Sequence, residues 1–230
     1  MGQMIEFASN GSKGTGYLAE PDAEIGRGVP LIVIQEWWGL NDHIKDVADR
    51  FAGEGFLALA PDLYHGTVTT EPDEAGKAAM ALDLGNAAND LGGAVNELIT
   101  RSGSSKVGVV GFCMGGGLAL TLACQRPDAI VACVPFYGAF PWPNSQPDYS
   151  TNRAAVQGHY AENDDWAGPA AVAALEEVLR PLGHGVEMHV YQNAEHAFFN
   201  DTRPEVYNRH YAVAAFHQTC AFLKRHQAQG

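Results

Sequence analysis

At 230 residues, with 46% hydrophobic and 18% charged side chains, the chain is long enough for one α/β domain with a buried core and too apolar for a disordered one. A formal net charge of −13 argues against nucleic acid or an anionic membrane as the main partner. The four cysteines, at 113, 124, 133 and 220, make no C-x-x-C pair, which argues against a disulfide framework or a zinc site and fits thiols in a reducing compartment. The sequence Met-Gly-Gln-Met-Ile-Glu-Phe has no basic region ahead of an apolar stretch, and no window reaches the length of a membrane span. A cytoplasmic protein is expected.

In chain order, residues 3–8 and 14–19 predict two short strands, an antiparallel pair joined by the turn Asn10-Gly11-Ser12-Lys13-Gly14. Apolar, β-branched runs then alternate with helical patterns. Strands are expected at 30–35, 56–60, 106–111, 130–136, 154–159 and 186–191, and helices at 43–54, 73–100, 114–126, 168–181 and 204–226. The helical spacing of Val47, Ala48 and Phe51 stops at Gly53 and Gly55. Runs such as Leu31-Ile32-Val33-Ile34 fit strands buried on both sides. Strands separated by helices imply parallel pairing: a single α/β domain over 1–230, a mostly parallel central sheet of about eight strands with helices on both faces. Its ligand is expected outside the carboxyl ends of the strands.

The strand at 106–111 runs into Gly111-Phe112-Cys113-Met114-Gly115-Gly116-Gly117, the outline of a nucleophile elbow, G-x-S-x-G, with Cys113 in place of serine. Such an elbow holds its nucleophile on a sharp turn between strand and helix, where the first helical N–H groups face a reacting carbonyl. A nucleophilic cysteine also needs a base and a group to orient it. Downstream, the strand at 154–159 leads into a loop with three carboxylates, Glu162, Asp164 and Asp165, and the last strand leads to His196. Chain order does not separate the three carboxylates. His159 and His189 lie within strands and read as packed histidines, while Cys124, Cys133 and Cys220 read as packing residues.

These segments resemble the dienelactone hydrolases, a branch of the α/β-hydrolase fold with a Cys-His-Asp triad. The likeness runs from the strand at 30–35 to the final helix. It is carried by Gln35-Glu36-Trp37-Trp38-Gly39-Leu40, Ala60-Pro61-Asp62-Leu63-Tyr64, the Cys113 elbow, the Asp164 loop and Glu195-His196-Ala197-Phe198. The resemblance implies Cys113 as nucleophile, His196 as base and Asp164 as its orienting acid. It also implies that Glu36 contacts the resting thiol and can take its proton when substrate displaces it. The oxyanion hole would use the backbone N–H groups of Trp37 and Met114. No metal or organic cofactor is required.

The chain departs from the family where substrate carboxylate is expected to be held by two arginines. One position, four residues after the histidine, is Asn200; the other, before the long helix, falls at Pro72, with Arg203 and Lys77 nearby. Aromatic residues Trp37, Trp38, Phe136, Tyr137, Phe140 and Trp142, with Phe198, suggest an aromatic pocket. The expected function is hydrolysis of a small ester or lactone, more apolar than dienelactone, by a monomer. A general carboxylesterase or thioesterase is the nearest alternative; a ligand-binding or thiol-sensing protein on the same scaffold is the second.

Overall fold

The structure, a computed structural model, describes residues 2–138 and 146–228. Its first strands, β1 (Gln3–Ser9) and β2 (Ser12–Ala19), pair antiparallel through a two-residue turn in which Asn10 and Gly11 both take positive φ, 36° and 90°. That is the turn whose twist suits a hairpin, and asparagine followed by glycine is its usual sequence. β2 continues antiparallel onto β4 (Phe56–Pro61), and β3 (Val29–Ile34) lies parallel to β4. Leu31 to Ile34 are fully buried, as a strand covered on both sides requires.

α1 (Asp42–Gly53) begins where the Asn41 side chain accepts the N–H of Ile44, and it packs against β4. The single helix expected over 73–100 is two helices, α2 (Pro72–Ala81) and α3 (Leu84–Ser102). Asp83 causes the break. Its Oδ1 accepts the N–H groups of Gly85 and Asn86 at 2.9 and 3.0 Å, starting a new helix where the charged residue interrupts the apolar row of Ala75, Ala79, Ala87 and Leu91. α3 ends on Gly103 at φ 75° and packs against β1, to which Ser9 Oγ adds a 2.5 Å hydrogen bond to Asp90.

β5 (Val107–Phe112) carries the boundary between two compact units, Met1–Val109 and Val110–Gly230. In the second unit the elements are α4 (Met114–Gln125), β6 (Ile130–Phe136), β7 (Ala155–Asn163), α5 (Pro169–Leu179), β8 (Val186–Glu195) and α6 (Arg209–Ala228). β6, β7 and β8 are parallel to one another, α4 packs on β6, and α6 packs on β6 and β7. The strand order is β1-β2-β4-β3-β5-β6-β7-β8, an eight-stranded, mostly parallel sheet with its antiparallel members at the start. This is the expected α/β fold.

Two boundaries shift with consequences for the site. β7 and β8 run on to Asn163 and Glu195, past the expected ends at 159 and 191. α6 begins at Arg209, not 204, because residues 203–207 turn back on the Arg203 carbonyl and Asn208 supplies the cap, accepting the N–H of Tyr211. Among the described residues no helix is long and apolar enough to cross a membrane.

Candidate active site

β5 is buried along its whole length, so the chain leaves it at a fixed point in the interior. The next residue, Cys113, takes φ 55° and ψ −121°, a region that a side chain with a Cβ rarely occupies. Its N–H donates to the Phe136 carbonyl of β6 at 3.0 Å, and its own carbonyl accepts the N–H of Gly116 at 2.9 Å, so both sides of the turn are tied down. The glycines make this geometry possible. A Cβ on Gly111 would lie 2.0 Å from the Gly115 carbonyl oxygen, and one on Gly116 would lie 2.6 Å from the Cα of Gly138 after β6. Cys113 thus stands at the amino end of α4, which no side chain caps. The helix dipole favours negative charge there, whether on a thiolate or on an oxyanion.

The three carboxylates of the β7 loop separate by geometry. Asp164 is buried; its Oδ1 accepts the N–H groups of Trp166 and Ala167, both at 2.9 Å, and its Oδ2 lies 2.6 Å from Nδ1 of His196. Glu162 instead accepts the N–H of Asn193, and Asp165 is exposed. Burial pushes the Asp164 carboxyl up, but the His196 hydrogen bond and charge and the Ala167 and Trp166 amides outweigh it and hold it below the usual range. An ionised carboxylate can only accept, so it fixes the imidazole proton on Nδ1 and leaves Nε2 as the basic nitrogen. The His196 ring also meets Tyr137, at 5.0 Å between centroids, and Trp166, at 5.5 Å.

A strand–elbow–helix cysteine followed in order by a buried aspartate and the histidine it orients calls for comparison with known proteins. Residues 15–227 match the model of the dienelactone hydrolase family. The chain belongs to that family. It is 37% identical to Protein usf of Aquifex pyrophilus over 98% of this chain and 99% of that one. It is 34% identical to the Aquifex aeolicus protein named "Putative carboxymethylenebutenolidase", covering 97% and 98% of the two chains. A crystal structure from Klebsiella pneumoniae, named "Putative Dienelactone Hydrolase", superposes with a TM-score of 0.86 at 27% identity, covering 98% of this chain and 99% of that one. The protein is a hydrolase of this family.

Glu36, directly after β3, is 1% exposed, which rules out a solvated loop carboxylate. Trp37 and Trp38 follow it, both half-buried, their rings edge to face at 5.1 Å. Tyr137, Phe136 and Phe198 are fully buried. Phe136 packs against Phe112, Phe199 and His159, with centroids 4.6 to 5.0 Å away, and offers its ring to the core. Phe198 is wedged between Tyr137 and Tyr191. Phe140 and Trp142 lie outside the described residues.

Asn200, where the resemblance led to the expectation of an arginine, is buried, and its Oδ1 accepts the N–H and O–H of Thr202 at 3.0 and 2.6 Å. It is a turn-holding residue. Pro72 opens α2, Lys77 is exposed, and Arg203 is engaged with Glu205 at 2.9 Å. His159 is packed within β7: Nδ1 bonds the Tyr191 hydroxyl and Nε2 faces Gln157 and Thr219. Burial, and secondly the charge of His189, press its pKa well below the usual histidine value.

Trp166 was not singled out by sequence. It is 40% exposed, the one aromatic ring among the large exposed hydrophobic side chains of the described residues, and it flanks His196. A tryptophan two residues past the acid, in a short loop, was the signal available.

Proposed function

We propose that the protein hydrolyses carboxylic esters or lactones through a thioester on Cys113. The observation that carries this reading is the 2.6 Å pair of His196 and Asp164, set downstream of a cysteine held in an elbow at a helix amino end. A binding protein has no use for an ionised carboxylate that fixes the tautomer of a half-exposed imidazole. Glu36 is assigned the task of contacting the resting thiol, on the family resemblance and on the burial of its carboxyl.

In this mechanism the substrate carbonyl oxygen is held by the amides of Trp37 and Met114. The Cys113 proton passes to Glu36 or His196 and the thiolate adds to the carbonyl carbon. The tetrahedral intermediate collapses, the C–O bond breaks, and the departing alkoxide takes that proton. Nε2 of His196 then draws a proton from water as its oxygen attacks the thioester. The second intermediate expels the thiolate, which recovers the proton, and the carboxylic acid leaves.

The substrate is a neutral ester or lactone with an aromatic or otherwise apolar body. Asn200 and Pro72 offer no guanidinium for a carboxylate, Arg203 is taken by Glu205, and Trp166 presents an open aromatic face beside His196. A cytoplasmic monomer fits this reading; none of the four cysteines is in a disulfide.

The test is p-nitrophenyl acetate hydrolysis with mass spectrometry of the Cys113 peptide. A burst of nitrophenol and an acetylated Cys113 are expected, and Cys113→Ala should abolish both. Wild-type turnover by Cys113→Ala would end the assignment. A panel of lactones, aryl esters and acyl thioesters then ranks the substrate classes.

A further inference from the structure

β7 and β8 keep a simple parallel register up to Ala161 opposite Tyr191, and the next pair is Asn163 opposite Glu195. β8 therefore carries two residues more than β7 across this step, a bulge immediately ahead of His196. Within it Asn193 takes φ 54°, and just beyond it Ala197 takes φ 66°. Asparagine enters this region readily, whereas alanine holds it only where the surroundings impose it.

The bulge turns the Asn193 N–H out of the ladder, and the acceptor it finds is Oε2 of Glu162 at 2.8 Å. One step on, Asn163 Nδ2 donates to Oε1 of Glu195 at 3.0 Å, and the next is the Asp164–His196 pair. Three consecutive residues at the end of β7 thus grip three points of the chain that delivers the imidazole. We propose that Glu162 is a positioning residue for His196: its carboxylate replaces the missing ladder acceptor and pins the bulge in the register at which the imidazole meets Asp164. A one-residue slip along a strand is about 3.3 Å, more than a hydrogen bond of Asp164 to Nδ1 can absorb. This role rests on the reading of His196 as the base.

Steady-state kinetics on p-nitrophenyl acetate test it with Glu162→Gln, Glu162→Asp and Glu162→Ala, each checked by thermal melting. The Gln oxygen reaches the same N–H, so kcat should stay within about twofold of wild type; Asp keeps the charge but falls one methylene short, and it and Ala should lose about five- to tenfold in kcat at unchanged KM. Wild-type kcat in the Ala and Asp variants would overturn the role. So would a Gln variant as poor as Ala, which would make charge the cause. Should Ala not fold, the Asp and Gln pair alone decides. His196→Gln in the same assay separates the two readings. If it stays active, the base assignment fails; if it is dead while Glu162→Ala is unimpaired, only the role of Glu162 fails.

Discussion

The strain at the elbow has a measurable sign. Cys113 holds φ 55° and ψ −121°, and a residue with a Cβ in such a sparsely populated region costs about 1–3 kcal/mol, which glycine does not incur. Cys113→Ala and Cys113→Gly remove the same buried thiol, so their comparison isolates the backbone. Glycine loses about 0.5–1 kcal/mol to its larger unfolded-state entropy and about 0.8 kcal/mol for the one methyl that alanine keeps buried. With strain relief near the middle of its range, the glycine variant should be about 0.5 kcal/mol more stable than the alanine variant. At an ordinary buried site the same two costs, with nothing to offset them, would put glycine about 1.5 kcal/mol below alanine. Urea denaturation resolves a difference of that size, and in a thermal scan each kcal/mol moves the midpoint by about 2–4 °C for a chain of this length. Both variants should be inactive. An alanine variant more stable than glycine by about 1.5 kcal/mol would show that the turn stores no strain and that Cys113 sits in relaxed backbone.

Asp164→Asn replaces the acceptor that fixes the His196 tautomer, so kcat should fall by about two to four orders of magnitude with little change in KM, read from steady-state ester hydrolysis. His159, buried and pressed well below the usual histidine pKa, refuses a proton that the unfolded chain accepts below about pH 6.5. Its contribution to stability is therefore complete above that pH and lost as pH falls, by about 1.4 kcal/mol per unit. Denaturant titrations at pH 7.5 and 5.5 should show His159→Gln losing about 1.4 kcal/mol less than wild type over that interval; equal losses would contradict neutral burial. Trp166→Ala removes the exposed ring beside His196 and should raise KM for aryl esters about tenfold while leaving short alkyl esters nearly unchanged, measured on matched substrates.

The parts of the site written in neighbouring residues were legible, and those that depend on distant partners were not. The elbow could be read because Gly111 and Gly115 meet each other across the turn, a contact fixed within five residues. The third elbow glycine was legible only as part of a run, since its packing partner, Gly138, belongs to the end of another strand. The helix start at Asp83 had two local signs, an aspartate two and three residues ahead of the amides it caps and a charge at the one polar position of the row Ala75, Ala79, Asp83, Ala87, Leu91, Val95; a single helix over 73–100 passes over both. The choice among Glu162, Asp164 and Asp165 lay beyond chain order, because it is made by the N–H groups of Trp166, Ala167 and Asn193.

The ends of β7 and β8 show why such details escape a sequence pattern. Glu162, Asn163, Gln192, Asn193 and Glu195 have the composition of a loop, and on composition the strands stop at 159 and 191. In the fold three of those side chains bridge the bulge, Glu162 on the Asn193 amide and Asn163 on Glu195. The residues that look least like a strand are thus the ones that let two strands reach the site. Each needs a partner about thirty positions away, so no local periodicity carries the signal. If that is the logic of the segment, substitutions there should alter turnover well before they alter stability.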